Sequence, residues 1–159
     1  MLKVVSNTTP LIALSMLNRL ELLQQLYTKV FISTAVYDEF EAGKNKSFYK
    51  NLSKMEWVNI LEIQNKQALN YLLDLDVGEA EAIVLAKELK ADLIILDEKL
   101  SRFHAKHAGL NVIGTIGILI KAKKQGLIVK IEPLLDELIQ NGFWISEKLK
   151  KEILIRLKA

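Results

Sequence analysis

The sequence predicts an α/β fold on a mainly parallel sheet, and three observations carry that expectation. Short apolar strands alternate with longer helical periods over most of the chain, the pattern of successive crossover units. Leu93-Ile94-Ile95-Leu96 is an uninterrupted apolar run, as a strand covered on both faces requires. Asp97 and Glu98 follow at its carboxyl end, where open α/β sheets place their ligand sites.

Each element has its own local reason. Lys3-Val4-Val5 reads as a first strand, broken by Ser6-Asn7-Thr8-Thr9-Pro10. Thr9 is a natural N-cap with Pro10 at the first helical position, and the leucine period then continues through Leu26. Val30–Ile32 is the second strand, and Ser33 or Thr34 caps a helix containing Val36, Tyr37, Asp38, Glu39 and Phe40 that ends near Gly43. Residues 43–53 are polar and read as a loop or short helix, and Trp57–Leu61 as the third strand. Residues 65–75 read as a helix with Leu69, Leu72 and Leu73 facing inward.

Gly78 opens the next helix, with Glu79 and Glu81 in its first turn, where the dipole favours negative charge. Its apolar stripe is Ala82, Ile83, Leu85, Ala86 and Leu89, and Lys90-Ala91 turns the chain into the Leu93–Leu96 strand. Residues 100–108 form a helix ending at Gly109, and 111–113 a last short strand. Helices follow over 114–125, closed by Gly126, and from Pro133 to Gln140, ended by Asn141-Gly142. Ser146 with Leu149, Ile153 and Leu157 gives a final amphipathic helix. The expectation is a single domain over 1–159, with 133–159 as a C-terminal helical extension.

Composition narrows the classes. With 159 residues, half of them apolar, the chain can build one domain with a full core. The absence of cysteine excludes disulfides, thiol nucleophiles and thiolate metal sites, and fits a reducing compartment. Apolar runs are far shorter than a membrane span, and MLKVVSNTTP lacks a signal-peptide core. A soluble, cytoplasmic protein is expected. The net charge of +3 permits a nucleic-acid partner without demanding one. From Lys121 to Ala159 there are nine Lys/Arg against five Asp/Glu, so the whole excess lies in the tail.

The candidate chemistry lies at strand ends and helix starts. Asn7 follows the first strand and Asp97 the fourth, Glu39 lies in the helix after the second, and Glu79 begins the helix before the fourth. If the strand order gathers them, they form an oxygen-rich pocket with little positive charge nearby. Crowded carboxylates raise one another's pKa unless a cation neutralises them, and hard oxygen ligands select Mg²⁺ or Mn²⁺. Such a site can activate water for phosphodiester cleavage. The plainer readings stand beside it. Glu79 and Glu81 can simply favour a helix N-terminus, Asp97 can cap the next helix, and Asp38 and Glu39 can be solvated. His104 and His107 read as helix surface, since no third ligand accompanies them. Gly114-Thr115-Ile116-Gly117 lacks the patterns of a nucleotide loop. Trp57, Phe103, Phe143 and Trp144 read as core, with Trp144 also suited to an exposed contact.

VVSNTTPLIAL, VYDEF, GEAEAIVLA followed by ADLIILDEKL, and PLLDELIQNGFWIS together resemble the PIN domain family, and most closely its prokaryotic PIN-like members long catalogued as a domain of unknown function. The resemblance implies a three-layer α/β/α sandwich and a Mg²⁺- or Mn²⁺-dependent endoribonuclease, often the toxin of a toxin–antitoxin pair. Carried over by motif, the acidic positions are Asn7, Glu39, Glu79 and Asp97. Thr8 resembles the hydroxyl residue that supports the metal, and Glu81 and Glu98 are supplementary or substitute ligands. The implied partners are an RNA substrate, contacted through Lys148 and Lys151, a cognate antitoxin, and a second copy meeting through the apolar stripes of the first and third helices. One position departs from the pattern: the first acid is usually aspartate and here is Asn7. A charge fewer in a confined pocket weakens cation attraction by on the order of a few kcal/mol. The alternative is therefore a catalytically impaired PIN-like domain that binds RNA or a protein.

Overall fold

The computed structural model describes residues 2–157, and the outermost positions of the 1–159 expectation lie outside it. Five strands form one sheet: β1 (Val4–Ser6), β2 (Val30–Ser33), β3 (Val58–Leu61), β4 (Leu93–Ile95) and β5 (Val112–Ile113). Their order is β3-β2-β1-β4-β5, and every neighbouring pair is parallel. The helices are α1 (Thr8–Met16), α2 (Leu22–Tyr27), α3 (Thr34–Glu41), α4 (Val77–Leu89), α5 (Lys99–His107), α6 (Thr115–Lys124), α7 (Glu132–Gln140) and α8 (Glu147–Leu157). No described helix is long and apolar enough to cross a membrane.

The central strands are apolar because both faces are covered. Val4, Val5, Ile94 and Ile95 are fully buried, whereas the edge strand β3 is only half-buried. Helix α4 crosses β1, β2 and β4 with α5 beside it. Helices α1, α2 and α6 pack together, and α8 rests on α6. The chain leaves β1 towards β2 but leaves β4 towards β5, in opposite directions along the sheet. Right-handed crossovers therefore put α1 and α2 on one face and α5 on the other, which makes three layers. The reversal falls between β1 and β4, the topological switch point where such sheets open a crevice. Register puts Ser6 beside Ile95, and the Asn7 N–H donates to the Ile95 carbonyl at 3.0 Å.

Several boundaries differ from the sequence-based expectation. Asn7, not Thr9, is the N-cap of α1, and Pro10 sits in its first turn. The long first helix is two helices, because Asn18 adopts a left-handed backbone (φ 55°). The Asn18 and Arg19 amides then close the end of α1 on Ser15 and Leu14 at 2.9 and 2.8 Å, a Schellman arrangement. Residues 66–71 form a 3₁₀ helix in place of the α-helix expected over 65–75, and Leu73 is exposed instead of inward. The stripe expected to serve a dimer on the first helix is already spent: Leu11, Leu14, Leu20 and Leu23 are buried in the core. Among the aromatics Trp57 is buried, but Phe103 and Trp144 are exposed.

Candidate functional site

The four positions Asn7, Glu39, Glu79 and Asp97 gather along the carboxyl edge of the sheet, each held by a different local device. Asn7 follows β1 at the switch point, is almost fully buried, and its Oδ1 has no hydrogen-bond partner. Thr8 is buried next to it. Its hydroxyl lies near enough to Glu39 to favour the ionised carboxylate, yet it makes no well-formed hydrogen bond. Two adjacent orphan oxygens in a buried place are uncommon, since buried polar atoms are nearly always paired.

Glu39 projects from α3 onto the start of α4. Its carboxylate occupies the space above Gly78, where an added Cβ would lie 1.8 Å from Oε1. Only glycine admits this approach. Burial raises the Glu39 carboxyl above its usual range, and the charges of Asp76 and Glu79 raise it further.

Glu79 is more deeply set. Asp76 caps α4 by accepting from the Glu79 N–H at 2.8 Å, and Glu79 Oε1 accepts from the Asp76 N–H at 3.2 Å, a reciprocal capping box. The other oxygen accepts from the Ser101 hydroxyl at 2.8 Å. Glu79 is thus both a helix-start residue and a buried carboxylate at the crevice, and burial pushes its pKa up against those hydrogen bonds.

Asp97, following β4, accepts from the Thr115 N–H at 2.8 Å and from the Thr115 hydroxyl at 2.6 Å. The helix it caps is therefore α6, and not the α5 that follows it in sequence. That caps the start of α6 with a carboxylate and removes the 114–117 segment as a phosphate loop. Burial raises the Asp97 pKa, while Thr115 and the nearby Arg102 charge oppose the rise. Arg102 reaches back from α5 to donate to the Leu96 carbonyl at 2.9 Å. Arg102 is therefore a positive charge at this end of the pocket, brought there because α5 begins two residues after Asp97.

The supplementary positions divide. Glu81 turns away and accepts from the Ala35 N–H at 3.2 Å, tying down the start of α3. Glu98 is exposed, and its main-chain carbonyl, not its carboxylate, is engaged, by Ser101 and Arg102. His104 pairs with Asp74 at 2.9 Å and His107 stacks near Phe103, so the two do not form a metal pair. Lys148 and Lys151 are exposed on α8, but neither lines the cleft beside Asp97. That cleft, about 810 Å³, is lined from the C-terminal segment by Gly142, Phe143 and Trp144.

Sequence reasoning passed over Asp76, Ser101, Arg102 and Thr115. Asp76 was legible, because Asp-x-x-Glu before an apolar run is a capping signature. Ser101 and Thr115 carried no signal, since their partners are 22 and 18 residues away in sequence.

The donor set is all oxygen, which suits a hard divalent cation, and Asn7 Oδ1 is a buried acceptor in want of a partner. Among the described residues, however, no three acidic or histidine side chains close around one point. The family comparison agrees with the fold: a family model described as PIN domain matches residues 3–159. The chain belongs to the PIN domain family, whose architecture is of the nuclease type and generally works with divalent metal. No curated protein matches the chain significantly.

Proposed function

We propose that this protein is a metal-dependent endoribonuclease of PIN type, hydrolysing RNA to leave a 3′-hydroxyl and a 5′-phosphate, and that it is the toxin of a toxin–antitoxin pair. The observation that carries the reading is the meeting of Glu39 and Glu79 at the start of α4, near the orphan hydroxyl of Thr8 and the orphan oxygen of Asn7, with Asp97 at the neighbouring strand end and all three carboxyls raised above their usual range. Carboxylates held in that state bind a cation readily, because neutralisation relieves both desolvation and repulsion.

Glu39, Glu79 and Asp97 would hold Mg²⁺ or Mn²⁺, with Asn7 Oδ1 as a neutral donor. When bound, the cation supplies a lowered water pKa and charge stabilisation at the phosphodiester. Ser101 and Thr115 keep Glu79 and Asp97 oriented. Arg102 sets a fixed positive charge at the rim for the phosphate. The toxin assignment rests on the family resemblance, and a cognate antitoxin would inhibit by filling the cleft beside Asp97 with an acidic or aromatic segment.

A second reading has its own support: an impaired PIN domain that binds RNA or a protein. Asn7 brings no charge, and Arg102 already offsets part of the Asp97 charge. Calorimetric Mn²⁺ titration of wild type, Asn7→Asp and Asp97→Asn, followed by incubation with single-stranded RNA, separates the two. The nuclease reading expects wild-type binding, loss in Asp97→Asn, and tighter binding with faster cleavage in Asn7→Asp. Binding and cleavage that appear only in Asn7→Asp establish the impaired domain instead.

A further inference from the structure

Two depressions meet at Asp97 and Arg102. The larger, already described as the cleft, has an apolar floor of Ile113 and Ile116 and a wall of Phe143 and Trp144. The smaller, about 390 Å³, continues past Arg102 to Lys99, Phe103 and Lys106. Lys99, Arg102 and Lys106 are three and four residues apart, so α5 presents them on one face over about 10 Å of helix. None of the three makes an ion pair among the described residues. Two exposed aromatic side chains border these depressions, Trp144 at 83 % exposure in the larger and Phe103, whose ring has His107 against it, at 54 % in the smaller.

Cations and exposed aromatic side chains, bordering adjoining depressions that share a carboxylate, match a particular ligand. Single-stranded nucleic acid offers a phosphate for each cation and a π-face for each ring, and stacking tolerates any base. A protein partner fits less well, since interface centres are depleted in lysine. We infer that the α5 face and the Phe143-Trp144 wall form a single-stranded RNA track, with Lys99, Arg102 and Lys106 on phosphates and Phe103 and Trp144 stacking on bases to either side of Asp97. The track rests on the nuclease reading for its purpose but not for its test. It relocates RNA contact from the tail lysines Lys148 and Lys151 to α5.

The experiment is binding of a fluorescein-labelled single-stranded RNA decamer by anisotropy, in chelator so that cleavage plays no part. Trp144→Ala weakens binding by about five- to a hundredfold, and Trp144→Phe retains most of it. The double variant Lys99→Ala/Lys106→Ala flattens the slope of log affinity against log salt by about 1.4. Lys148→Ala/Lys151→Ala leaves both affinity and slope unchanged. RNA quenches tryptophan emission in wild type and not in Trp144→Phe, because the other tryptophan, Trp57, is buried. Wild type that binds while the α5 and Trp144 variants bind equally well overturns the track and leaves the nuclease reading intact. Absence of any wild-type binding overturns the track as well, and leaves the surface to a protein partner. Weakened binding in those variants, with RNA left whole by the Mn²⁺-loaded wild type, upholds the track and overturns the nuclease reading.

Discussion

Replacing Gly78 with alanine should separate stability from function. The new methyl carbon would fall 1.8 Å from Glu39 Oε1, about half the ~3.5 Å of ordinary contact, and 2.7 Å from its Cδ. The backbone of α4 has no need to move, because the obstacle is the end of a flexible side chain, and Glu39 swings off the helix start. Gly78 lies in the first turn of α4, where alanine gains about 0.5–1 kcal/mol over glycine. For a chain of this size that raises the melting temperature by about 1–4 °C.

The site loses a carboxylate. A unit charge about 4 Å from a divalent cation contributes roughly 2 kcal/mol with full water screening and more at lower dielectric. Glu39 is the most exposed of the three carboxylates and only partly desolvated, so the screened value applies, and it corresponds to about thirtyfold weaker Mn²⁺ binding. Circular dichroism melts in chelator and calorimetric Mn²⁺ titration read the two effects separately. Gly109→Ala is the control. Its φ of +83° strains alanine with nothing near the site, so stability falls and Mn²⁺ affinity holds. Unchanged Mn²⁺ affinity in Gly78→Ala would refute the role of Glu39. A melting temperature lowered by several degrees would refute the account of Gly78.

Three further outcomes follow from the same geometry. Glu39, Glu79 and Asp97 all have folded-state pKa values above their unfolded ones, so folding takes up protons; their contribution is complete below the unfolded carboxylate range and is lost as pH rises through the folded values. The metal-free protein therefore melts higher as pH falls from 7 towards that range while Mn²⁺ affinity declines, and a melting temperature independent of pH there would contradict this. Thr115→Val removes the hydroxyl donor to Asp97 but keeps the amide, and should cost about 1.5–3 kcal/mol by denaturant titration while moving the acid limb of the cleavage profile to higher pH. Glu81→Ala removes the acceptor for the Ala35 N–H and should cost about 1 kcal/mol of stability with Mn²⁺ affinity intact; a large loss of metal binding would return Glu81 to the site.

By itself the sequence determined the class of fold, and it marked the polar and acidic strand ends and helix starts as candidates. Period and composition are local properties: a strand buried on both faces must be apolar throughout, as in Leu93–Leu96, and a parallel sheet needs a helix between strands. The start of α4 was legible for the same reason, with Asp76 and Glu79 three residues apart. The first helix was misread because the leucine period continues past Asn18, and only packing shows that the chain turns there in a left-handed backbone. Tertiary structure alone decided what each acid touches. Glu79 and Glu81 lie two residues apart on one helix, yet one faces Ser101 across the crevice and the other the start of α3. Asp97 and Thr115, Gly78 and Glu39, and Arg102 and Trp144 are brought together by crossovers of 18 to 42 residues, and no local pattern records such distances. A side chain's partner depends on strand order and helix rotation, which the core fixes only when the whole chain has folded.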